Sequence, residues 1–368
     1  MKSCWVLPLV LLLSSCAAYA TPQAVPPPAP TPAPAALLDN PIPVFAYYYI
    51  WFDEGMWDRA KTDYPLLGRY SSDDIDVMRA HVFWAKSAGI KGFIVSWKNT
   101  PKLTERLSSL IQVAQAEDFE LAVIYQGLDF GRKPLPASVI EADLDLFISR
   151  FAGSKVFRQF EKPIVILSGT WEFSTEEVAA ITAGRRDELL ILASEKNTAG
   201  YDRLADLVDG NAYYWSSVDP WSTPGYIDKL QALSEAVHAK GGIWIAPAAS
   251  GFDARLVGGT RIINRRDGET LRAEMNAALQ SSPDLVGLIS WNEFSENSHI
   301  EPSEEYGERY LEVMAEIQGA LPPVSQSADS SEPGETSTAL SFSQIAAIGG
   351  LVFLFVVAFG LVVWRSRH

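Results

Sequence analysis

Trp84-Ala85-Lys86-Ser87-Ala88-Gly89-Ile90-Lys91-Gly92-Phe93-Ile94-Val95-Ser96-Trp97 holds one period of the fold. Asp74–Ala88 repeats its apolar residues at helical spacing, after the capping side chains of Ser71-Ser72-Asp73-Asp74. Gly89 stands where that helix should stop. Gly92–Trp97 is then a continuous apolar run of strand length. A strand that is apolar on both faces belongs in a parallel sheet covered by helices.

The same unit recurs along the chain. Strands are predicted at Val44–Ile50, Gly92–Trp97, Leu121–Tyr125, Ile164–Ser168, Leu189–Ala193, Gly210–Trp215, Gly242–Pro247 and Val286–Trp291. Between them lie helical patterns at Asp74–Ala88, Lys102–Ala116, Ala142–Phe157, Thr175–Thr182, Tyr201–Leu207, Tyr226–Lys240 and Glu269–Gln280, and Glu304–Gln318 follows the last strand. Eight repeats in about 280 residues, from Asn40 to Ala320, predict a (β/α)8 TIM barrel of class α/β. A doubly wound open sheet is the alternative. It usually carries a Gly-rich first turn, whereas Tyr49-Ile50-Trp51-Phe52-Asp53-Glu54 contains no GxGxxG.

Composition narrows the function. The chain has 368 residues and a formal net charge of −15, from 45 acidic and 30 basic side chains. That balance argues against nucleic acid as a partner, since phosphate binding needs clustered Lys and Arg. Cys4 and Cys16 are the two cysteines, which excludes a disulfide scaffold and a Cys-based metal site. His81, His238, His299 and His368 show no paired metal spacing, and no cofactor motif is present.

The ends are read as location signals. Residues 1–20 form an export signal: Lys2, an apolar run from Trp5 to Leu13, and Ala18-Tyr19-Ala20 as a cleavage pattern. Leu13-Ser14-Ser15-Cys16 also reads as a lipobox, which would lipidate Cys16. Residues 21–39, Pro- and Ala-rich over Thr21–Ala36, are a spacer. Residues 40–320 are the barrel, and residues 321–344, rich in Ser, Pro and Glu, a stalk. Ile345–Trp364 is an apolar stretch long enough to cross a bilayer, at 1.5 Å per residue, and residues 365–368 form a basic cytoplasmic tail. The expectation is a domain anchored to a membrane and facing outward, at the cell surface or in a periplasm.

A barrel keeps its active site at the C-terminal ends of its strands. Those ends carry Tyr47, Tyr49 and Trp51; Trp97 with Lys98; Gln126; Trp171 and Glu172; Glu195; Tyr214 and Trp215; Asp253 and Arg255; and Trp291-Asn292-Glu293-Phe294-Ser295-Glu296. One aromatic at such a place is more simply core packing. The collection points to a sugar groove, because pyranose C–H faces pack on rings. Glu293 and Glu296 supply the two carboxyl groups that glycoside cleavage needs, one as a proton donor and one to assist attack. Neighbouring carboxylates push their pKa values apart, so one stays protonated near neutral pH. Tyr47, Tyr49, Trp51, Trp97, Gln126, Tyr214, Trp215, Asp253, Arg255, Trp291 and Asn292 are the candidate substrate contacts. Arg255 serves equally well as a brace of the rim. His299 and Glu301 are expected to hold the catalytic loop, His81 to be structural, and Lys98 to be a rim charge.

Trp291-Asn292-Glu293-Phe294-Ser295-Glu296-Asn297-Ser298-His299-Ile300-Glu301-Pro302-Ser303 resembles the signature of glycoside hydrolase family 99, approximately W/F-N-E-W/F-x-E-G-[ST]-x-I-E-P. Tyr47-Tyr48-Tyr49-Ile50-Trp51, Trp84–Phe93, Phe252-Asp253-Ala254-Arg255 and Arg266-Asp267-Gly268 resemble other stretches of the family, so that the likeness covers nearly all of Pro43–Ile317. The resemblance implies a (β/α)8 barrel that cleaves α-mannoside linkages in a glycan, as endo-α-mannosidases and endo-α-1,2-mannanases do, with retention and without a metal or cofactor. It implies that Glu293 deprotonates the sugar 2-hydroxyl and that Glu296 protonates the leaving oxygen and later activates water. Asn297 stands where the family usually has Gly, Ser295 where His is common, and Ile50 where the mannosidases tend to have Pro. A related α-glucanase, or a hydrolase of another surface polysaccharide, would share these features. A non-catalytic glycan-binding barrel would not require the carboxylate pair.

Overall fold

A computed structural model describes residues 42–319, apart from 60 and 130. The expected export signal, spacer, stalk, membrane span and tail lie outside the described residues. No described helix is long and apolar enough to cross a membrane.

Seven strands come first: β1 (Val44–Tyr49), β2 (Gly92–Trp97), β3 (Glu120–Tyr125), β4 (Ile164–Leu167), β5 (Leu190–Leu192), β6 (Gly210–Ala212) and β7 (Ile243–Ala249). A two-stranded antiparallel excursion follows, β8 (Phe252–Asp253) with β9 (Ile262–Ile263). The last barrel strand is β10 (Leu285–Ile289). The eight long-range strands run parallel in the order β5-β4-β3-β2-β1-β10-β7-β6. A single parallel bridge, Ala193 to Asn211, joins the two ends of that sheet and closes the barrel. Gly210 sits at this seam because a Cβ there would overlap the Ile243 carbonyl.

Among the described residues the α-helices are α1 (Ile75–Ser87), α2 (Pro101–Ala116), α3 (Ala137–Arg150), α4 (Thr175–Thr182), α5 (Thr198–Leu204), α6 (Tyr226–His238), α7 (Glu269–Gln280) and α8 (Arg309–Ile317). Their starts follow local chemistry. Asp74 caps α1, Thr100 caps α2 with Pro101 next, and Ser174 with Glu177 makes a capping box on α4. Three expected boundaries are corrected. The third helix begins after Pro136, not at Ala142, because its buried face already includes Ile140, and it ends at Phe151. The fifth begins after the Asn197 cap, not at Tyr201. The last begins at Arg309 because Ser303 and Gly307 exchange two backbone hydrogen bonds and hold the segment as a turn.

Pleating sends alternate residues of a strand to opposite faces. Phe45, Tyr47 and Tyr49 join a cluster inside the barrel with Ile94, Ile124, Ile166 and Ile245. Val44, Ala46 and Tyr48 join the layer between sheet and helices with Phe93, Val95, Leu110 and Leu144. Each large apolar side chain buried in this way contributes about 1.5–3 kcal/mol.

The long segment between β1 and α1 forms one wall of the barrel mouth. Arg106 on α2 is buried and holds the segment's two ends: it donates to the Ile50 carbonyl (3.0 Å), to Asp73 (2.7 Å) and to Asp53. The Trp57 indole N–H donates to the Tyr70 carbonyl (2.7 Å), and its ring stacks on Phe52. A bridge from Pro65 to Ser303 clips this wall to the segment after β10.

Candidate active site

The loop after β10 folds back on itself. The peptide between Ile289 and Ser290 is cis. The Ser290 hydroxyl accepts the Glu293 N–H (2.9 Å) and meets the Ser298 hydroxyl (3.1 Å), and the Ser290 N–H donates to the Ser298 carbonyl (2.9 Å). This places Glu293 and Glu296 on one short turn. Glu293 Oε1 accepts the Ser295 N–H (3.0 Å).

Asn297 adopts φ = 46°. That left-handed conformation explains why Asn can stand where Gly is usual: its short polar side chain tolerates the region, and a β-branched residue does not. Asn297→Val is therefore expected to cost about 2 kcal/mol in urea denaturation, and Asn297→Gly less than about 1 kcal/mol.

The carboxylates have unequal surroundings. Glu293 is only 6% exposed, and its pKa is pushed up to about 7, first by burial and then by the charge of Glu296. Lys61, on the β1–α1 wall, opposes that rise. Glu296 is half-buried, and burial raises its pKa against the opposing charge of Arg132. Facing them, the hydroxyls of Tyr49 and Tyr214 lie 2.9 Å apart. Both phenols are held well above their usual range by burial, with both glutamate charges adding to the rise. One carboxyl that titrates near neutrality, a second raised by burial, and two neutral hydroxyls therefore lie within electrostatic reach of one another.

Of the expected substrate contacts, Tyr47, Tyr49 and Tyr214 lie inside the barrel, and half-buried Trp51 stacks on Tyr49 (4.4 Å between ring centroids). Tyr47 is floor rather than wall, buried and edge-on to Tyr214. Gln126 is half-buried and donates to the Ser96 hydroxyl (2.9 Å). Three tryptophans are corrected, two of them (Trp97 and Trp215) by strand parity. Trp97 and Trp291 are fully buried between sheet and helices, against Tyr125 and Phe147 and against Phe93 and His81 respectively. Trp215 packs on Tyr226 of α6, on that same outer side.

Asn292 is corrected as well. Its side chain accepts the Tyr49 N–H (2.8 Å) and donates to the Tyr49 carbonyl (3.0 Å) and to the Tyr70 hydroxyl (3.2 Å). Fully buried, it has no group left for a sugar and serves to fix β1 against the catalytic loop. Asp253 and Arg255 form an ion pair (2.6 Å) on the β8–β9 excursion, and the Asp253 N–H donates to the Glu296 carbonyl (2.7 Å).

His299 and Glu301 stand behind the loop. Glu301 takes the Tyr70 hydroxyl (2.9 Å) on one oxygen and lies 3.0 Å from His81 Nε2 on the other, and Tyr48 closes the chain on His81 Nδ1 (2.9 Å). His299 Nε2 lies 3.0 Å from Asp63. Burial, then the Arg265 charge, pushes the His299 pKa down to about 4, so the ring is neutral and donates to Asp63. Burial would raise Asp63, but hydrogen bonds from His299, Ser303 and the Glu305 N–H outweigh it and hold the carboxyl at about 2. Arg265, itself buried, donates to the Ser250 hydroxyl (3.0 Å) and the Asn297 carbonyl (3.0 Å) and lies over the rings of Tyr306 and Tyr310.

Lys61, Asp63, Tyr70, Arg132 and Arg265 were not among the sequence candidates. All five lie in connections rather than at strand ends, where no local signal marks them. Among the described residues, no group of three His, Cys, Asp or Glu side chains converges to hold a metal.

Residues 52–312 match the model of glycosyl hydrolase family 99. A mouse protein described as glycoprotein endo-alpha-1,2-mannosidase-like is 23% identical over 271 residues, 66% of this chain and 58% of that protein. Its human counterpart is 22% identical over the same shares. The chain thus spans less than two thirds of the length of these curated relatives. Among solved structures, a GH99 endo-alpha-mannosidase from Bacteroides thetaiotaomicron superposes with a TM-score of 0.66 at 17% identity, over 77% of this chain and 99% of that one. A glycoside hydrolase-like protein superposes with a TM-score of 0.55 at 17% identity, over 76% and 97%. At these identities the structural likeness is one of fold.

Proposed function

The chain belongs to glycosyl hydrolase family 99, and from that premise we propose that it hydrolyses α-mannoside-type linkages in a glycan through Glu293 and Glu296, by a retaining, substrate-assisted mechanism. One observation carries the reading: two carboxyls on one short turn, Glu293 buried and Glu296 more open, close enough for the charge of Glu296 to act on Glu293. A general base is most effective when its pKa lies near the working pH. Glu293 deprotonates the sugar 2-hydroxyl, whose oxygen attacks the anomeric carbon as the glycosidic bond breaks, giving a 1,2-anhydro sugar. Glu296 gives its proton to the departing oxygen and then takes one from the water that opens the three-membered ring at the anomeric carbon, while Glu293 returns its proton to the 2-oxygen. Tyr49 and Tyr214 stay neutral and offer hydroxyls to the sugar.

The two roles separate by leaving group. On an aryl α-mannoside with an acidic phenol, Glu296→Gln is expected to retain far more of its activity than on a mannan, because such a phenol departs without help. Glu293→Gln is expected to lose both. Rescue of Glu293→Gln and not of Glu296→Gln would reverse the assignment. Release of oligosaccharides from a panel of α-mannans and α-glucans, read by mass spectrometry, names the substrate. Retention of one glycan without release would indicate a binding barrel instead.

The reading includes location. The apolar stretch 345–364 with its basic tail, and the export signal at 1–20, support a membrane-anchored enzyme facing away from the cytoplasm. Protease added to intact cells should then remove the barrel domain, and its resistance there would refute the topology.

A further inference from the structure

Over β4, β5 and β6 the barrel rim carries two lysines that no carboxylate neutralises. Lys196 follows β5 and lies 3.5 Å above the Trp171 ring centroid. Lys229, in the first turn of α6, lies over Trp215 (4.4 Å) and Tyr213 (4.8 Å), and its ammonium donates to the Tyr213 hydroxyl (3.0 Å). Among the described residues, neither has a carboxylate within 4.0 Å. The two are close enough to repel each other, and Lys229 titrates below its usual range because of burial and then that repulsion.

A lysine is unfavourable at a helix N-terminus, where the backbone already presents positive charge. Gly225 gives α6 no side-chain cap there, and Asp228, the acidic residue of that turn, makes no ion pair with Lys229. This arrangement sits in a chain of net charge −15, where acidic partners are plentiful. Two more cations face the reaction centre itself, Lys61 toward Glu293 and Arg132 toward Glu296. The two carboxylates thus have cations of their own, and two further lysines rest on aromatic faces.

We propose that Lys196 and Lys229, held over the rings of Trp171 and of Trp215 with Tyr213, bind an oxyanion carried by the glycan, a carboxylate or a phosphate, so that the substrate class is an acidic rather than a neutral polysaccharide. The ring faces orient the ammonium groups, and the glycan's anion supplies the charge that the protein withholds. This proposal rests on the glycosidase reading for the ligand being a glycan, but it does not depend on which linkage is cut.

The test measures affinity, not turnover. The full chain is titrated at low salt with an α-1,2-mannan and an α-1,4-glucan, each unmodified, phosphorylated, or oxidised at C6 to the carboxylate. The wild type is expected to bind at least one acidic form about tenfold more tightly than its neutral parent, with the preference shrinking as salt rises. The carboxylate and phosphate arms identify the anion. Lys196→Met with Lys229→Met should erase the preference, and Lys196→Arg with Lys229→Arg should keep it, with thermal melting confirming that both double variants are folded. Equal affinity for acidic and neutral forms in the wild type, or a preference that survives the Met variant, overturns the proposal. Binding of an acidic polymer without product release would instead defeat the glycosidase reading and leave this one standing.

Discussion

Glu293→Gln should abolish turnover and, above neutral pH, make the protein harder to unfold. Loss of a general base costs typically 10²–10⁴-fold, so a fall in kcat of about 10³-fold is expected on a mannan substrate. The gain in stability follows from the same burial. Glu293 titrates near 7 in the folded chain and near 4.5 when unfolded. Between those values the folded state holds more protons than the unfolded one, so stability falls as pH rises through that window. By pH 8 the penalty is complete, about 3 kcal/mol. Glutamine keeps an acceptor for the Ser295 N–H and carries no charge. Melting at pH 8 should rise by roughly 5 °C or more, while melting at pH 4 should scarcely change. An unchanged melting temperature at pH 8 would mean that the carboxylate is not strained by its burial.

Removal of the Asp63 carboxylate should do the opposite. Asp63→Ala leaves the His299 N–H and the Glu305 N–H without acceptors and leaves Arg265 as a buried cation with less compensating charge nearby. Breaking a buried charged group of this kind costs about 3–5 kcal/mol. Urea denaturation at pH 7 should show a loss of that size, and a loss below about 1 kcal/mol would refute the account. Acid sensitivity has a definite sign here. Asp63 is held at about 2, so its contribution is present above the ordinary carboxylate range and disappears as pH falls through 2. His299 is held at about 4, so stability is lost as pH falls from 6.5 toward 4, where only the unfolded imidazole is protonated. In that interval His299 and Glu293 act in opposite directions. As pH falls through that interval, Glu293→Gln should therefore lose stability more steeply than the wild type.

The fold was legible because strand length, parity and helix caps are local properties. All eight strand–helix units could be placed from apolar runs such as Gly92–Trp97 and from caps such as Ser174. The β8–β9 excursion was not legible, because two-residue strands leave no periodic trace. Within the site, the carboxylate pair declares itself by spacing on one loop. Trp97 misled because a strand end was read without its phase: Tyr49 and Trp97 both end strands, yet one points into the barrel and the other into the helical layer. Asp63, Arg265 and Tyr70 act through contacts spanning many residues, such as the Tyr70–Glu301 bond, and such contacts exist only once the chain has closed.

The seam between β5 and β6 bears on how the molecule breathes. Every other neighbouring pair of barrel strands is joined by three or more paired residues, while this junction has one bridge, at Ala193 and Asn211. The amides of Ala193 and Ala212, which cross it, should therefore exchange with deuterated solvent sooner than those in the β1–β2 ladder. Lys196 follows Ala193 by three residues, so the loop that carries it is tied to the least-laced stave of the barrel and should share its faster exchange.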